Sequence, residues 1–191
     1  MSTPHILAFA GSLRAGSFNK KLVRCAASAA EAAGTKVTII NLDDYALPVF
    51  DEDLEKEGTP ENATKLKALM READGFLIAS PEYNSSVSAA LKNAIDWASR
   101  PAEGEPMLAA FAGKAAVLMA ASPGALGGLR GLVHLKAILG NIQVTVLPQQ
   151  FALSKAFEAF DDEGKLKDEK TAARVADLGS SLAAFLAKHV G

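Results

Sequence analysis

The stretch Gly11-Ser12-Leu13-Arg14-Ala15-Gly16-Ser17-Phe18-Asn19 sets glycines, small hydroxyls and one arginine ahead of a segment of helical period. Such a loop offers free backbone N–H groups and the positive end of a helix dipole to an anion. Ser12, Ser17 and Asn19 add neutral hydrogen-bonding groups, and Arg14 can give charge-assisted bonds to phosphate oxygens. A terminal phosphate suits this chemistry. Gly11 and Gly16 have the spacing of a nucleotide-triphosphate loop, but that motif needs Lys and then Ser or Thr after its second glycine, where this chain has Ser17 and Phe18. The GxGxxG dinucleotide fingerprint is absent too, which makes Asp43 a surface loop residue rather than a ribose ligand. The plain alternative is that Gly and Ser only turn the chain and Arg14 is solvated.

Two further stretches are unusual. Ser80-Pro81-Glu82-Tyr83-Asn84-Ser85 is too rich in polar and aromatic groups for a bare connector. Backbone amides around Glu82 to Asn84 could meet the N and O edge of a heterocycle, with Tyr83 against its face. A single carboxylate without a positioned partner gives little support to acid/base chemistry at Glu82. Ser122-Pro123-Gly124-Ala125-Leu126-Gly127-Gly128-Leu129-Arg130 lacks side chains where a flat ring, or a second ring stacked on it, would approach backbone. Its competitor is a glycine-rich turn ahead of a helix.

Other chemistries find no foothold. His5, His134 and His189 are scattered without metal-ligand spacing, and each reads as structural or exposed. There is no GxSxG, and Cys25 has no CxxC and no neighbouring histidine, so a disulfide, a zinc cluster and a thiol nucleophile are all disfavoured. With 20 Lys and Arg against 22 Asp and Glu, the net charge of −2 draws no polyanion, and nucleic acid is not an expected partner. Met1 to Pro4 leads into a strand without the regions of a signal peptide, and the uncharged run Ala115 to Leu129 is shorter than a membrane helix and broken by Pro and Gly. A soluble protein of a reducing cytoplasm is the expectation, with no membrane partner.

The elements that must position these loops follow from periodicity. Four short runs, His5 to Ala10, Lys36 to Leu42, Gly75 to Ser80 and Lys114 to Ala121, are apolar on both faces, as buried parallel strands are; Ile142 to Leu147 is a weaker fifth. Helices are predicted over Asn19 to Ala33 with Gly34 beyond it, from Thr59-Pro60-Glu61 to Ala73, over Ser86 to Arg100, over Gly128 to Leu139, and on the stripe Val175, Leu178, Leu182 and Phe185. Trp97 and Ile95 turn inward as core. Ala102 to Met107 and Asp161 to Lys170 are surface excursions. Alternating strands and helices over 191 residues predict one α/β domain, whose ligand sits outside the carboxyl ends of its strands, where the three unusual loops converge.

The GSLRxxSxN stretch at Gly11 to Asn19, Pro81 to Asn84, the run Leu91-Lys92-Asn93-Ala94-Ile95-Asp96-Trp97, and Ser122 through Gly128 to Arg130 together resemble the NADPH-dependent FMN reductases, most of all the bacterial quinone and chromate reductases. The resemblance implies a flavodoxin-like three-layer sandwich with a five-stranded parallel sheet of order 2-1-3-4-5, noncovalent FMN, and assembly as a homodimer or homotetramer. It places Ser12, Arg14, Ser17, Phe18 and Asn19 around the phosphate, Pro81, Glu82, Tyr83 and Asn84 along the isoalloxazine ring, and Ser122, Gly127 and Gly128 near it. It further implies ping-pong hydride transfer from NADPH or NADH through FMN to a small-molecule electron acceptor: a quinone, a flavin, an azo compound or chromate. No side-chain catalyst is needed. Ser85 and Ser86 stand where relatives carry a bulkier group, which touches acceptor range more than cofactor. The competing expectations are a flavodoxin-type electron carrier serving protein partners, and a noncatalytic regulator that binds an anion or a protein on the same rim.

Overall fold

The computed structural model describes residues 3–189; Met1 and Ser2 of the segment read for a leader lie outside the described residues. The main sheet is built from β1 (His5–Ala10), β2 (Lys36–Asn41), β3 (Gly75–Ala79), β6 (Ala115–Ala121) and β7 (Thr145–Leu153), all parallel, in the order β2-β1-β3-β6-β7. Numbered among themselves, these strands run 2-1-3-4-5, the predicted order. Every residue of β1 is buried, and successive side chains go to opposite faces. Ile6, Ala8 and Ala10 meet α1 (Phe18–Ala32) and α7 (Glu169–His189), whereas Leu7 and Phe9 join the core under α3 (Glu61–Glu72), α4 (Ala89–Ala98) and α5 (Leu129–Asn141). Helices thus cover both faces of the sheet, which is why its central strands read as unbroken apolar runs.

The alanine-rich α1 packs backbone to backbone on α7. Ala26 and Ala30 are fully buried there, and a Cβ built on Gly179 would lie 1.9 Å from the Ala26 carbonyl oxygen.

Most element ends fall within a residue or two of the sequence reading, α3 for instance opening at Glu61 with Pro60 rather than Thr59 as its N-cap, and the larger departures are these. The predicted helix from Ser86 begins only at Ala89, because Glu82–Tyr83 (β4) and Ser86–Val87 (β5) pair as a small antiparallel hairpin. Asn84 and Ser85 turn it with φ of 50° and 65°, the paired left-handed geometry of a tight hairpin turn, here made without glycine. Ser88 then caps α4, its Oγ accepting from the Leu91 N–H at 3.1 Å. The weak fifth strand starts later and runs longer than predicted. α5 persists to Asn141, and the strand continues past Pro148 through a register shift opposite Ala116 and Leu118, which an edge strand tolerates. A short α2 (Glu52–Glu57), capped by Asp51, lies in a segment for which no element is predicted above.

Trp97 is 1% exposed, as predicted for a core residue, and its Nε1 donates to the Pro48 carbonyl at 2.9 Å beneath the segment that follows β2. A four-residue α6 (Ala156–Ala159) links β7 to the chain that leads into α7. No helix among the described residues is long and apolar enough to cross a membrane.

Candidate functional site

The three unusual loops follow β1, β3 and β6, at the carboxyl ends of adjacent strands, and cross-links stitch them together. Ser88 Oγ donates to the Gly11 carbonyl, tying the first loop to the start of α4. Asn19 Nδ2 donates to the Ala121 carbonyl at 2.9 Å while its Oδ1 accepts from the Ala121 N–H at 2.9 Å, which clamps the start of α1 to the end of β6. Glu82 accepts from Arg130 Nε and Nη2 at 2.9 and 2.7 Å and from the Gly131 N–H at 3.1 Å, which joins the hairpin to α5.

Within this rim the first loop presents its donors. Ser17 is the N-cap of α1, but its side chain makes no capping bond, and the first turn of the helix carries no acid. The leading N–H groups of α1 therefore face the loop with a positive dipole end and no carboxylate of that turn to quench it. Ser12 is buried, and its Oγ accepts weakly from the Arg14 N–H at 3.4 Å. Arg14 is exposed and joins none of the ion pairs among the described residues. Phe18 stacks on Phe160 with ring centroids 6.2 Å apart, so its side chain fixes the helix start from below. The Asn19 side chain is fully engaged with Ala121, and what it presents to the rim is its backbone N–H.

The ring-side residues divide in a similar way. Pro81 is buried, whereas Tyr83 is 53% exposed and Asn84 is also exposed at the tip of the hairpin. The Glu82 side chain is only 9% exposed and is spent on α5. Burial pushes its carboxyl up, but the Gly131 N–H and the Arg130 guanidinium outweigh that and hold it below the usual range. On the far side Ser122 Oγ accepts from the Gly124 N–H at 3.2 Å. Gly127 and Gly128 have φ of 63° and 94°, and a Cβ on them would meet the Ala152 and Leu153 backbone at 2.7–2.8 Å and Ala120 Cβ at 2.8 Å. Turn geometry and packing from within both require glycine at these two positions.

A pair missed in the sequence lies beside the first loop. Lys20, in the first turn of α1 and 7% exposed, bonds the Asp43 carboxylate, which that bond holds below its ordinary value of 3.8. Asp43 is exposed as predicted, but on a 3-10 turn, Leu42–Asp44, rather than a loop, and nothing in the spacing of residues 20 and 43 signals the contact; only the β1-β2 pairing brings them together. Because Asp43 is depressed, its contribution is present above pH 3.8 and lost as pH falls through the lower folded value. Asp43→Asn is expected to cost about 1–2 kcal/mol at pH 7, discounted from a fully buried pair because the carboxylate is 41% exposed, and to shallow the acid limb in urea titrations run from pH 7 to 3.

Fold and rim together define a flavodoxin-like α/β protein whose candidate site is the rim at the strands' carboxyl ends. An archaeal flavodoxin superposes with a TM-score of 0.62 over 96% of this chain and 99% of its own, at 12% identity, a likeness of fold alone. The chain belongs to the NADPH-dependent FMN reductase family, whose model matches residues 4–158. It is 38% identical over 169 residues to an NAD(P)H-dependent FMN reductase of Pseudomonas aeruginosa, covering 86% of this chain and 85% of that one. It is 37% identical over 190 residues to an NADPH:quinone oxidoreductase of Arabidopsis thaliana, covering 97% and 93%. Among solved structures, the flavoenzyme NAD(P)H:(acceptor) oxidoreductase FerB of Paracoccus denitrificans matches with a TM-score of 0.84 at 30% identity, over 98% of this chain and 99% of its own.

Proposed function

We propose that this chain, working as one flavodoxin-like domain, is an FMN-dependent NAD(P)H oxidoreductase that reduces small-molecule acceptors, quinones and flavins foremost. The observation that carries the reading is the acid-free start of α1, with Ser12, Ser17 and the unpaired Arg14 around it. That donor set fits a phosphate dianion. Ser12, Arg14, Ser17, the backbone at Phe18 and Asn19, and the dipole of α1 would hold the phosphate. Pro81, Glu82, Tyr83 and Asn84 would form one wall for the ring, and Ser122, Gly127 and Gly128 the other, with the Glu82 side chain acting behind the wall. What FMN supplies when bound is the redox chemistry, hydride in from NAD(P)H and electrons out to an acceptor; the residues bind and orient. The exposed Tyr83, Leu126 and Leu129 leave an apolar open side where a donor and then an acceptor can lie in turn, which supports a ping-pong order.

The finer assignments belong to the same reading. Chromate and azo compounds are further acceptors, the cytoplasm is the site of action, and the protein works as a homodimer or homotetramer. Exposed Leu13 and Val49, beside Ala89 and Ala90, support self-association by leaving apolar surface near the rim. The electron-carrier alternative is the weaker one, since flavodoxin likeness is at 12% identity and the reductase relatives stand at 35–38%.

An anaerobic titration tests the reading. NADPH, then NADH, is added to the FMN-loaded protein while the flavin band is followed. Rapid bleaching that a quinone reverses is expected; bound flavin that neither donor bleaches would restore the carrier. Arg14→Ala is expected to raise the FMN dissociation constant roughly ten- to a hundredfold by removing a charge-assisted phosphate contact, measured by flavin fluorescence. Riboflavin, which lacks the phosphate, should bind both proteins alike.

A further inference from the structure

The α5 helix begins with a defect. Its N-cap, Gly128, has no side chain to satisfy the helix's leading N–H groups. The missing cap comes from another loop, because the Glu82 carboxylate accepts the Gly131 N–H at 3.1 Å and binds the Arg130 guanidinium through its other oxygen. The contact surface is shaped for this. A Cβ on Gly131 would lie 3.2 Å from the Ser86 carbonyl oxygen and 3.4 Å from Glu82 Cβ, so the β4-β5 hairpin rests directly on the first turn of α5. One turn further along, His134 Nδ1 lies 3.0 Å from Ser86 Oγ. Arg130 and His134 are thus the charged and titratable groups facing the hairpin from α5.

We propose that Glu82 is a positioning residue that caps α5 in trans, and so fixes the distance between the two walls assigned above to the flavin ring. The inference rests on that assignment. The hairpin is one wall, and the loop Ser122 to Gly128, which leads straight into α5, is the other. Each holds its own turn, the hairpin through the β4-β5 pairing and the loop through its packed glycines, but neither sets its distance to the other. Glu82 ties the hairpin to the first turn of α5, onto which that loop runs, and the His134–Ser86 contact adds a second side-chain tie one turn on. The clamp also removes Glu82 from proton transfer, since the carboxylate is held ionised by Arg130 and the Gly131 N–H and already accepts three hydrogen bonds.

Three observables test this on the full chain: FMN dissociation constant, visible spectrum of the bound flavin, and hydrogen exchange at the Gly131 amide without flavin. Glu82→Ala is expected to raise the FMN dissociation constant about tenfold, to blur the flavin band, and to speed Gly131 exchange about tenfold or more. Glu82→Gln, which keeps a cap acceptor, should recover more than half of the affinity loss on a logarithmic scale. If Glu82→Ala does not accumulate, Arg130→Met removes only the ion pair, and about a threefold rise is expected. Wild-type affinity and spectrum in Glu82→Ala, or in Arg130→Met where that variant stands in, overturn the proposal, as does a Glu82→Gln protein no better than Glu82→Ala. Should the wild-type chain refuse FMN, the flavin assignment of the rim fails instead, and Gly131 exchange still decides the clamp.

Discussion

Gly179→Ala is expected to lower stability by about 3 kcal/mol or more, and Gly179→Val to leave no folded protein. The added methyl would sit 1.9 Å from the Ala26 carbonyl oxygen, 2.9 Å from its carbon and 3.1 Å from the Ala30 nitrogen. All three are backbone atoms of α1, so no rotamer change relieves the clash. The helices would have to move apart, and α1 is the element whose start holds the donors proposed above for the phosphate. Urea denaturation gives the loss directly, and any Gly179→Ala protein that folds should also bind FMN more weakly. Gly140→Ala is the control. Gly140 lies in α5, has nothing within 4 Å of the added carbon, and is expected to gain up to about 1 kcal/mol from helix propensity. A Gly179→Ala protein of wild-type stability would overturn the close-packed reading of the α1-α7 contact.

Asn19→Ala is expected to cost about 2–4 kcal/mol, because it strands both the N–H and the C=O of Ala121 at the buried end of β6. Asn19→Asp separates structure from binding. Aspartate can still accept from the Ala121 N–H, but it loses the donor to the carbonyl and sets a negative charge in the first turn of α1. Stability should fall less than in Asn19→Ala, while FMN affinity should fall further, because the new charge opposes the phosphate. Equal ranking of the two variants in stability and in FMN affinity would count against an anion at this helix start.

How much of this the sequence discloses depends on whether a residue's partner is near in the chain. The central strands were legible because β1, β3 and β6 are buried on both faces and so carry an unbroken apolar signal. The first helix was legible because Gly34, at φ 86°, marks its exit. The hairpin was not, since Asn84-Ser85 takes a turn geometry usually announced by glycine. The donors of the first loop were readable as types, but the division of labour was hidden. That Asn19 serves Ala121, that Glu82 serves α5 and that Lys20 leans on Asp43 depend on strand order, which brings together residues 102, 49 and 23 positions apart.

The break in β7 has a consequence beyond the fold. A parallel sheet leaves two open flanks, here β2 and β7, each a row of backbone groups that another extended chain could extend. On the β7 flank the register slips between its pairings with Ala116 and Leu118, and Pro148, lying in the slip, has no N–H to give. An incoming strand would lose its alignment partway along. The irregularity that made this strand hard to find thus guards that side of the molecule against fibrous growth.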